Sequence, residues 1–182
     1  MKKIIAAAVV MLAGMSSAFA WESSFAKTSL FDTIAFPTVQ TVNGLDIGLL
    51  YSNTPNVNGV QFNFIYSRAD KVQGVNIAIV TCADRLAGLQ YSMVSFSKDF
   101  SGVQFGLYGQ TEKGVGWQDA FISNAADMTG FQSGFVNYAE KMNGFQLGVV
   151  NYAKEMKGLQ IGVLNFISDS KLPFMIIANA KF

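Results

Sequence analysis

Residues 144–153 read GFQLGVVNYA, and residues 158–167 repeat the phrase as GLQIGVLNFI. The glycine that opens this phrase recurs at steps of 15, 15 and then six times 14 residues. The repeat glycines are Gly44, Gly59, Gly74, Gly88, Gly102, Gly116, Gly130, Gly144 and Gly158. A constant period means that one structural unit is built again and again, and that neighbouring units bury each other's surfaces.

Polarity alternates strictly in the first half of each repeat. The residues one, three and five places after the glycine are mostly large and apolar, the residue two places after it is polar, and the residue four places after it is mostly small. Alternation with a period of two predicts a β-strand with one apolar face. Leu147, Val149 and Ile161 belong to that face, which we expect to point into a dry core if the strands stack as a solenoid and toward lipid if they form a membrane barrel.

The second half of each repeat is a charged turn and a short apolar return. Charges cluster in pairs such as Glu140-Lys141 and Lys154-Glu155, and an apolar residue comes back two places before most repeat glycines. In three successive repeats that residue is Met128, Met142 or Met156, which we interpret as core filling. One such unit buries too little apolar surface to fold alone, so neighbouring repeats must cover its apolar residues.

The repeats predict an all-β protein, a β-solenoid of nine 14–15-residue units with N- and C-terminal caps. Stacked coils bring equivalent residues together at about 4.8 Å. Buried amides stacked in this way can bond to one another along the array. We therefore expect a structural ladder of Gln90, Gln104, Gln118, Gln132, Gln146 and Gln160, and of Asn137, Asn151 and Asn165.

An up-and-down outer-membrane β-barrel of about 10–12 strands is the alternative architecture. Segments such as residues 144–153 are long enough to cross a bilayer, and residues 174–182 alternate and end on Phe182, as the last strand of many such barrels does. Barrel strands must tilt and stagger, however, and equal steps of 14 residues provide no stagger. The solenoid is therefore favoured.

The N-terminus has the features of a cleavable leader. Lys2 and Lys3 precede a short apolar run, and Ala18-Phe19-Ala20 is an A-x-A site. We divide the chain into a signal peptide (1–20), an N-terminal cap (21–42), tandem β-repeats (43–171) and a C-terminal strand or cap (172–182). Leu30, Phe31, Ile34 and Phe36 are the expected cover of the first coil.

Composition argues against several classes of function. Without Lys2 and Lys3 the mature chain would have a net charge of −1, so it lacks the basic surface that nucleic acid requires. The sequence contains no histidine and a single cysteine, which removes the usual zinc ligands and catalytic base. We predict no enzyme activity, no catalytic or metal site and no cofactor.

One irregular stretch is a candidate ligand notch. Between Gly109 and Asp119, a carboxylate replaces an apolar residue at Asp119, Trp117 offers a ring for stacking, and Glu112 supplies a second carboxylate. The competing interpretation is a degenerate coil without a ligand, which is common in repeat arrays.

The tandem Gly-Leu-Gln-Ile-Gly-Val-Leu-Asn phrase, the leader and the closing Leu172-Pro173-Phe174 segment resemble the bacterial surface-repeat proteins first described in spirochaetes. The resemblance covers residues 43–182 and implies export to the outer membrane or cell surface, with the periplasm as the alternative. It supplies no catalytic residues. The expected function is a non-enzymatic envelope scaffold, structural or binding, whose partner is the outer membrane or an envelope component that the sequence does not identify. The alternative function is an integral barrel serving as a narrow pore or an anchor.

Overall fold

The protein is described here by a computed structural model of residues 20–31 and 34–182. The predicted leader, residues 1–20, lies outside the described residues apart from Ala20. The strands are β1 (Ala20–Phe31), β2 (Ile34–Phe36), β3 (Thr38–Gly48), β4 (Tyr51–Asn53), β5 (Asn56–Asn63), β6 (Tyr66–Ile167) and β7 (Phe174–Lys181). In β6, extended structure continues over 102 residues and contains seven of the nine repeat glycines.

The strands stack as the parallel coils of a β-solenoid, as predicted. Strand β3 pairs in parallel with β5, and Leu45 lies beside Val60. Strand β5 pairs in parallel with β6, and Gly59 lies beside Gly74. The barrel alternative is wrong, because consecutive strands of an up-and-down barrel pair antiparallel, whereas consecutive repeats here pair in parallel.

Each coil turns where adjacent residues both point outward. In the coil that begins at Gly144, such turns fall at residues 149–150, at residues 154–155 and around the glycine itself. The coil therefore has three sides. Its inward positions are Gln146, Gly148, Asn151, Ala153 and Met156, and equivalent residues of neighbouring coils stack above and below them.

Glycine is required at the first corner for two reasons. All nine repeat glycines have φ between +126° and +153°, a region that residues with a Cβ rarely adopt. A methyl group at Gly130 would also overlap the carbonyl oxygen of Gly116 in the preceding coil, and the same overlap recurs along the stack. The regular glycine spacing is thus the spacing of the corner.

The apolar core occupies the half of the interior that the charged turn and the return segment enclose. Alanines such as Ala139 and Ala153 pack there against the return residues, and Met128, Met142 and Met156 are between 0% and 4% exposed. The interpretation of the methionines as core filling is confirmed. Flexible, unbranched side chains suit a narrow space whose shape changes slightly between coils.

The two ends of the solenoid are closed differently. At the C-terminus, β7 pairs antiparallel with the last coil, and Leu159 lies beside Ala180. At the N-terminus, β1 pairs in parallel with β3 and so adds a further coil rather than only a cover. Strand β2 folds back antiparallel to β1, leaving Phe31 and Phe36 exposed and Leu30 and Ile34 half-buried.

Candidate functional site: an outward apolar face over a polar interior

The glutamine column lies inside the solenoid. Five consecutive side-chain bonds connect it, each from the Nε2 of one glutamine to the Oε1 of the glutamine 14 residues earlier, at 2.6–2.9 Å. The six glutamines Gln90, Gln104, Gln118, Gln132, Gln146 and Gln160 have no solvent exposure. Buried amides avoid a desolvation penalty only when bonded, and this ladder supplies the bonds.

The same amides also span the coil. Gln132 Nε2 donates to the carbonyl oxygen of Tyr138 at 3.1 Å, and Gln160 Nε2 donates to that of Phe166 at 3.1 Å. Each of these glutamines therefore connects the first side of its coil to the second side as well as to the coil below. A cross-linked interior of this kind holds the sides of the coil at a constant distance.

A second ladder runs in the opposite direction. Asn137 Nδ2 donates to Asn151 Oδ1, and Asn151 Nδ2 donates to Asn165 Oδ1, both at 2.8 Å. The glutamines donate toward the N-terminus, whereas the asparagines donate toward the C-terminus. Among the described residues the two ladders end on oxygens without a partner, Gln160 Oε1 and Asn137 Oδ1.

The apolar residues of the alternating strand point outward, so the prediction that they point into a dry core is wrong. Leu147 is 44% exposed, Val149 36% and Ile161 37%. The reason is steric, because the asparagine ladder and the backbone of the preceding coil fill the space inside the first side. A methyl group at Gly148 would overlap Asn137 Nδ2 and the carbonyl oxygen of Gly134, and one at Gly162 would overlap Asn151 Nδ2 and the carbonyl oxygen of Gly148. Leucine and phenylalanine cannot fit there, whereas the hydrogen-bonded amides can.

We define the apolar face as the outward residues one, three and five places after each repeat glycine, from Leu45, Ile47 and Leu49 to Leu159, Ile161 and Val163. Twenty-five of these 27 positions are apolar or aromatic, and the exceptions are Asp119 and Ser133. The column five places after the glycine is exposed in all nine coils. Monomeric proteins rarely expose a continuous apolar surface of this extent, so this face is the candidate interaction surface.

Aromatic side chains stack along the outer sides. The rings of Phe131 and Phe145 are 5.2 Å apart and nearly parallel, and those of Phe121 and Phe135 are 5.0 Å apart at 9°. Trp117 meets Phe131 edge-on at 5.9 Å. These contacts follow from the period, which places aromatic side chains of successive coils one above the other.

The charged pairs are remote from the apolar face. Glu140-Lys141 and Lys154-Glu155 occupy the corner between the second and third sides, which lies opposite the first side. Charges of opposite sign meet along this corner, as in the ion pair of Lys98 Nζ with Asp84 Oδ1 at 3.1 Å. The outer surface of the solenoid is therefore amphipathic, because its first side is apolar and the corner opposite that side is charged.

The structure brings two of the three predicted notch residues together. Trp117 Nε1 donates to Ser133 Oγ at 2.9 Å, and Ser133 Oγ donates to Asp119 Oδ1 at 2.6 Å. Ser133 was missed as a partner, although it lies 14 residues after Asp119 and breaks the apolar pattern at the same repeat position. The cluster forms a small polar island within the apolar face.

Glu112 does not join this island. It lies on the charged corner, in a depression that Arg68, Asp84 and Lys98 also line. The three candidate residues therefore do not form one notch, because the chain turns twice between Glu112 and Trp117. Among residues 20–31 and 34–182, no group of three or more acidic or cysteine side chains is placed to hold a metal ion.

A separate polar cluster lies inside the N-terminal coils. Lys27, Asp46 and Gln61 follow one another in the interior column that continues as the glutamine ladder. Lys27 Nζ donates to Thr54 Oγ1 at 2.9 Å, and Thr54 Oγ1 donates to Asp46 Oδ2 at 2.6 Å. Ser52 Oγ donates to the same carboxylate. Sequence reasoning missed Lys27, whose position in the column is hidden by the irregular step between β1 and β3.

The second side carries a small group of polar and thiol side chains. Burial raises the pKa of the Tyr66 hydroxyl above its usual value, and a hydrogen bond with Cys82 adds to this increase. The Tyr66 hydroxyl in turn raises the pKa of the Arg68 guanidinium. Cys82 is half-buried and is the chain's single thiol, so it can be replaced to free the chain for site-directed labelling.

The apolar face ends in a groove at the N-terminal coils. This groove has a volume of about 400 Å³ and lies between the β1–β2 hairpin and the first two repeats. Leu30, Ile34, Ile47 and Phe64 contribute to its walls. The groove extends the apolar face rather than forming a second site, because Ile47 and Phe64 belong to both.

A scan against protein-family models finds no match to this chain, and searches of curated proteins and of solved structures find none either. In the part of the chain that the structure describes, no helix is long and apolar enough to span a membrane.

Proposed function

We propose that this protein is an exported, non-enzymatic scaffold of the cell envelope or cell surface, which binds through its apolar face. The single observation that carries the proposal is the inverted polarity of the coil. The amides are inside and fully buried, while 25 of 27 positions on one outer side are apolar or aromatic. Such a surface is costly in water unless a partner covers it.

The interior supports a scaffold role rather than a catalytic one. Nine buried amide side chains bond within the two ladders, and ladder groups such as Gln132 are held both by neighbouring coils and across their own coil. Groups so constrained are poor acids, bases or nucleophiles, since those functions need a side chain that can reach a substrate. The likeness to surface-repeat proteins and the leader motif support an envelope location.

Fractionation of cells that express the full chain tests this proposal. We expect the protein in the envelope fraction, with Trp21 as its first residue after processing. A variant with Ala18→Arg and Ala20→Arg, which destroys the A-x-A site, should accumulate with its leader attached. Unprocessed wild-type protein in the cytoplasm would contradict the proposal.

A further inference from the structure

The apolar face has the extent of a protein–protein interface. Nine coils at about 4.8 Å and a strand segment of five residues give a surface of roughly 43 by 15 Å. If two such faces cover each other, the total surface removed from solvent is on the order of 1,300 Å², which lies within the range of stable, specific interfaces. Side-chain ladders such as the glutamine column favour a flat sheet, and sheets pack face to face at about 10 Å.

A second copy of the chain matches this surface in spacing. Both faces carry side-chain rows at the same coil-to-coil distance, so the rows of one face can lie in the grooves of the other along the whole length. A lipid surface matches it less well, because interfacial protein segments combine apolar residues with flanking Lys and Arg. Here the corner that carries Lys141 and Lys154 is opposite the apolar face.

We propose that the apolar face is the interface of an antiparallel homodimer in which Asp119 of one copy lies opposite Tyr91 of the second copy. This inference deepens the scaffold proposal and rests on it for the binding role of the apolar face, but not for the envelope location. The dimer axis lies in the plane of the interface, perpendicular to the solenoid axis, at the central coil of Gly102.

The position of the single charge on the apolar face selects the antiparallel arrangement. Full overlap of nine antiparallel coils places the coil of Gly116 opposite that of Gly88, and Asp119 and Tyr91 both lie three places after their glycines. A parallel dimer would instead place Asp119 opposite Asp119. Like charges opposed in a dry interface repel strongly, so the parallel arrangement is disfavoured.

The Tyr91 hydroxyl is suited to this contact. Tyr91 is 60% exposed and has no hydrogen-bond partner among the described residues, so its hydroxyl is free to donate. Asp119 uses Oδ1 to accept from Ser133 of its own chain. Asp119 Oδ2 can then accept a hydrogen bond from the Tyr91 hydroxyl of the second copy. A long tyrosine side chain opposite a short aspartate side chain suits two sheets that lie about 10 Å apart.

Sedimentation equilibrium of the purified full chain without detergent is the first test. We expect twice the mass of one chain. Leu107→Lys, which places two ammonium groups opposite each other at the central coil, should raise the dimer Kd by about 100-fold or more. Val115→Lys is the matched control, because Val115 is equally exposed at 56% but lies outside the apolar face, and its Kd should be unchanged.

Cross-linking tests the orientation. In a Cys82→Ser background, chains with Tyr91→Cys mixed with chains with Asp119→Cys should be joined by a short bis-maleimide, since the sheet spacing exceeds disulfide reach. Asp119→Cys chains alone should not be joined. The reverse result would overturn the antiparallel arrangement.

Two further outcomes would overturn the dimer itself. One is a monomeric wild-type chain that floats with phosphatidylcholine vesicles, which would make lipid the occupant of the face. The other is an assembly whose mass Leu107→Lys leaves unchanged. A monomer that is still processed and found in the envelope would refute only the dimer, whereas a dimer confined to the cytoplasm would refute only the envelope location.

Discussion

Gln146 lies directly above Gln132, and its side-chain Nε2 donates to Gln132 Oε1 at 2.6 Å. Both side chains are fully buried. This contact explains how a chain with large apolar residues on one strand face can place its amides inside and those apolar residues outside. An amide that bonds above, below and across the coil loses little on burial, whereas the outward apolar side chains retain contact with water until a partner covers them.

Breaking the ladder should destabilise the fold. Gln132→Met keeps the side-chain volume but leaves Gln118 Oε1 without a partner and deprives Gln146 Nε2 of Gln132 Oε1, so that this nitrogen keeps only the carbonyl oxygen of Tyr152. A buried, unpaired group costs about 1–3 kcal/mol and a lost hydrogen bond about 1 kcal/mol, so we expect the free energy of unfolding to fall by about 2–4 kcal/mol. Urea denaturation followed by circular dichroism measures this. Gln73→Met, at an exposed position, is the control and should change little. Equal effects of the two substitutions would show that the ladder does not stabilise the fold.

The corner glycines should tolerate no side chain. Gly130→Ala adds a methyl group that overlaps the carbonyl oxygen of Gly116, at a φ of +126°. Neither backbone can move without disturbing adjacent coils, so we expect a loss of at least about 3 kcal/mol.

Gly114→Ala is the matched comparison for this corner. There the methyl group meets the Met128 sulfur, the flexible end of a side chain, and the φ is not positive. We expect a change within about 1 kcal/mol. Thermal unfolding of the two variants separates corner geometry from a general effect of removing glycine, and a well-tolerated Gly130→Ala would argue against the corner requirement.

The N-terminal coils should depend on the cation at Lys27. This side chain is 3% exposed and connects to Asp46 through Thr54. Lys27→Met leaves the Asp46 carboxylate as an uncompensated buried charge, which costs about 3–5 kcal/mol. Adding Asp46→Asn to Lys27→Met removes that charge and should recover most of the loss. Hydrogen exchange of β1 and β3 measures the effect locally. Failure of the double variant to recover protection would show that Lys27 acts through packing alone.

Removal of the C-terminal strand should cause association. Deleting residues 172–182 removes β7 and exposes the backbone edge of the last coil between Gly158 and Phe166. It also removes the Lys181–Asp169 ion pair. An unpaired edge of a regular parallel stack is a template for another chain, so we expect concentration-dependent growth beyond the mass of the intact protein. Light scattering detects this. A truncated chain with the same assembly state as the full chain would contradict the capping role.

Much of the architecture follows from the sequence. The regular glycine spacing predicts coils, because each coil needs a corner that only glycine can form. The column from Gln90 to Gln160 predicts amide stacking, because a constant period brings identical side chains together. The equal steps also argue against a barrel, and the parallel pairing of Gly59 with Gly74 agrees.

The candidate site was less predictable. Trp117 and Asp119 are two residues apart on one strand and share a side of the coil, but Ser133 reaches them only through the stacking of the next coil. Glu112 is close to both in sequence and lies on the opposite corner. Distance along the chain does not report proximity in a coil that turns three times within 14 residues.

The period, the strand alternation and the corner glycines can be read from the amino-acid sequence alone, because these features depend on local backbone geometry and on the identity of residues one coil apart. Which strand face points inward, by contrast, depends on how the coils pack in three dimensions. Alternation distinguishes two faces without assigning them, and the assignment follows from the width of the coil. Beside the asparagine ladder there is no room even for a methyl group at Gly148, so Leu147 and Val149 must point outward. Gln146 can be buried because the coils above and below it and the second side of its own coil supply its hydrogen-bond partners.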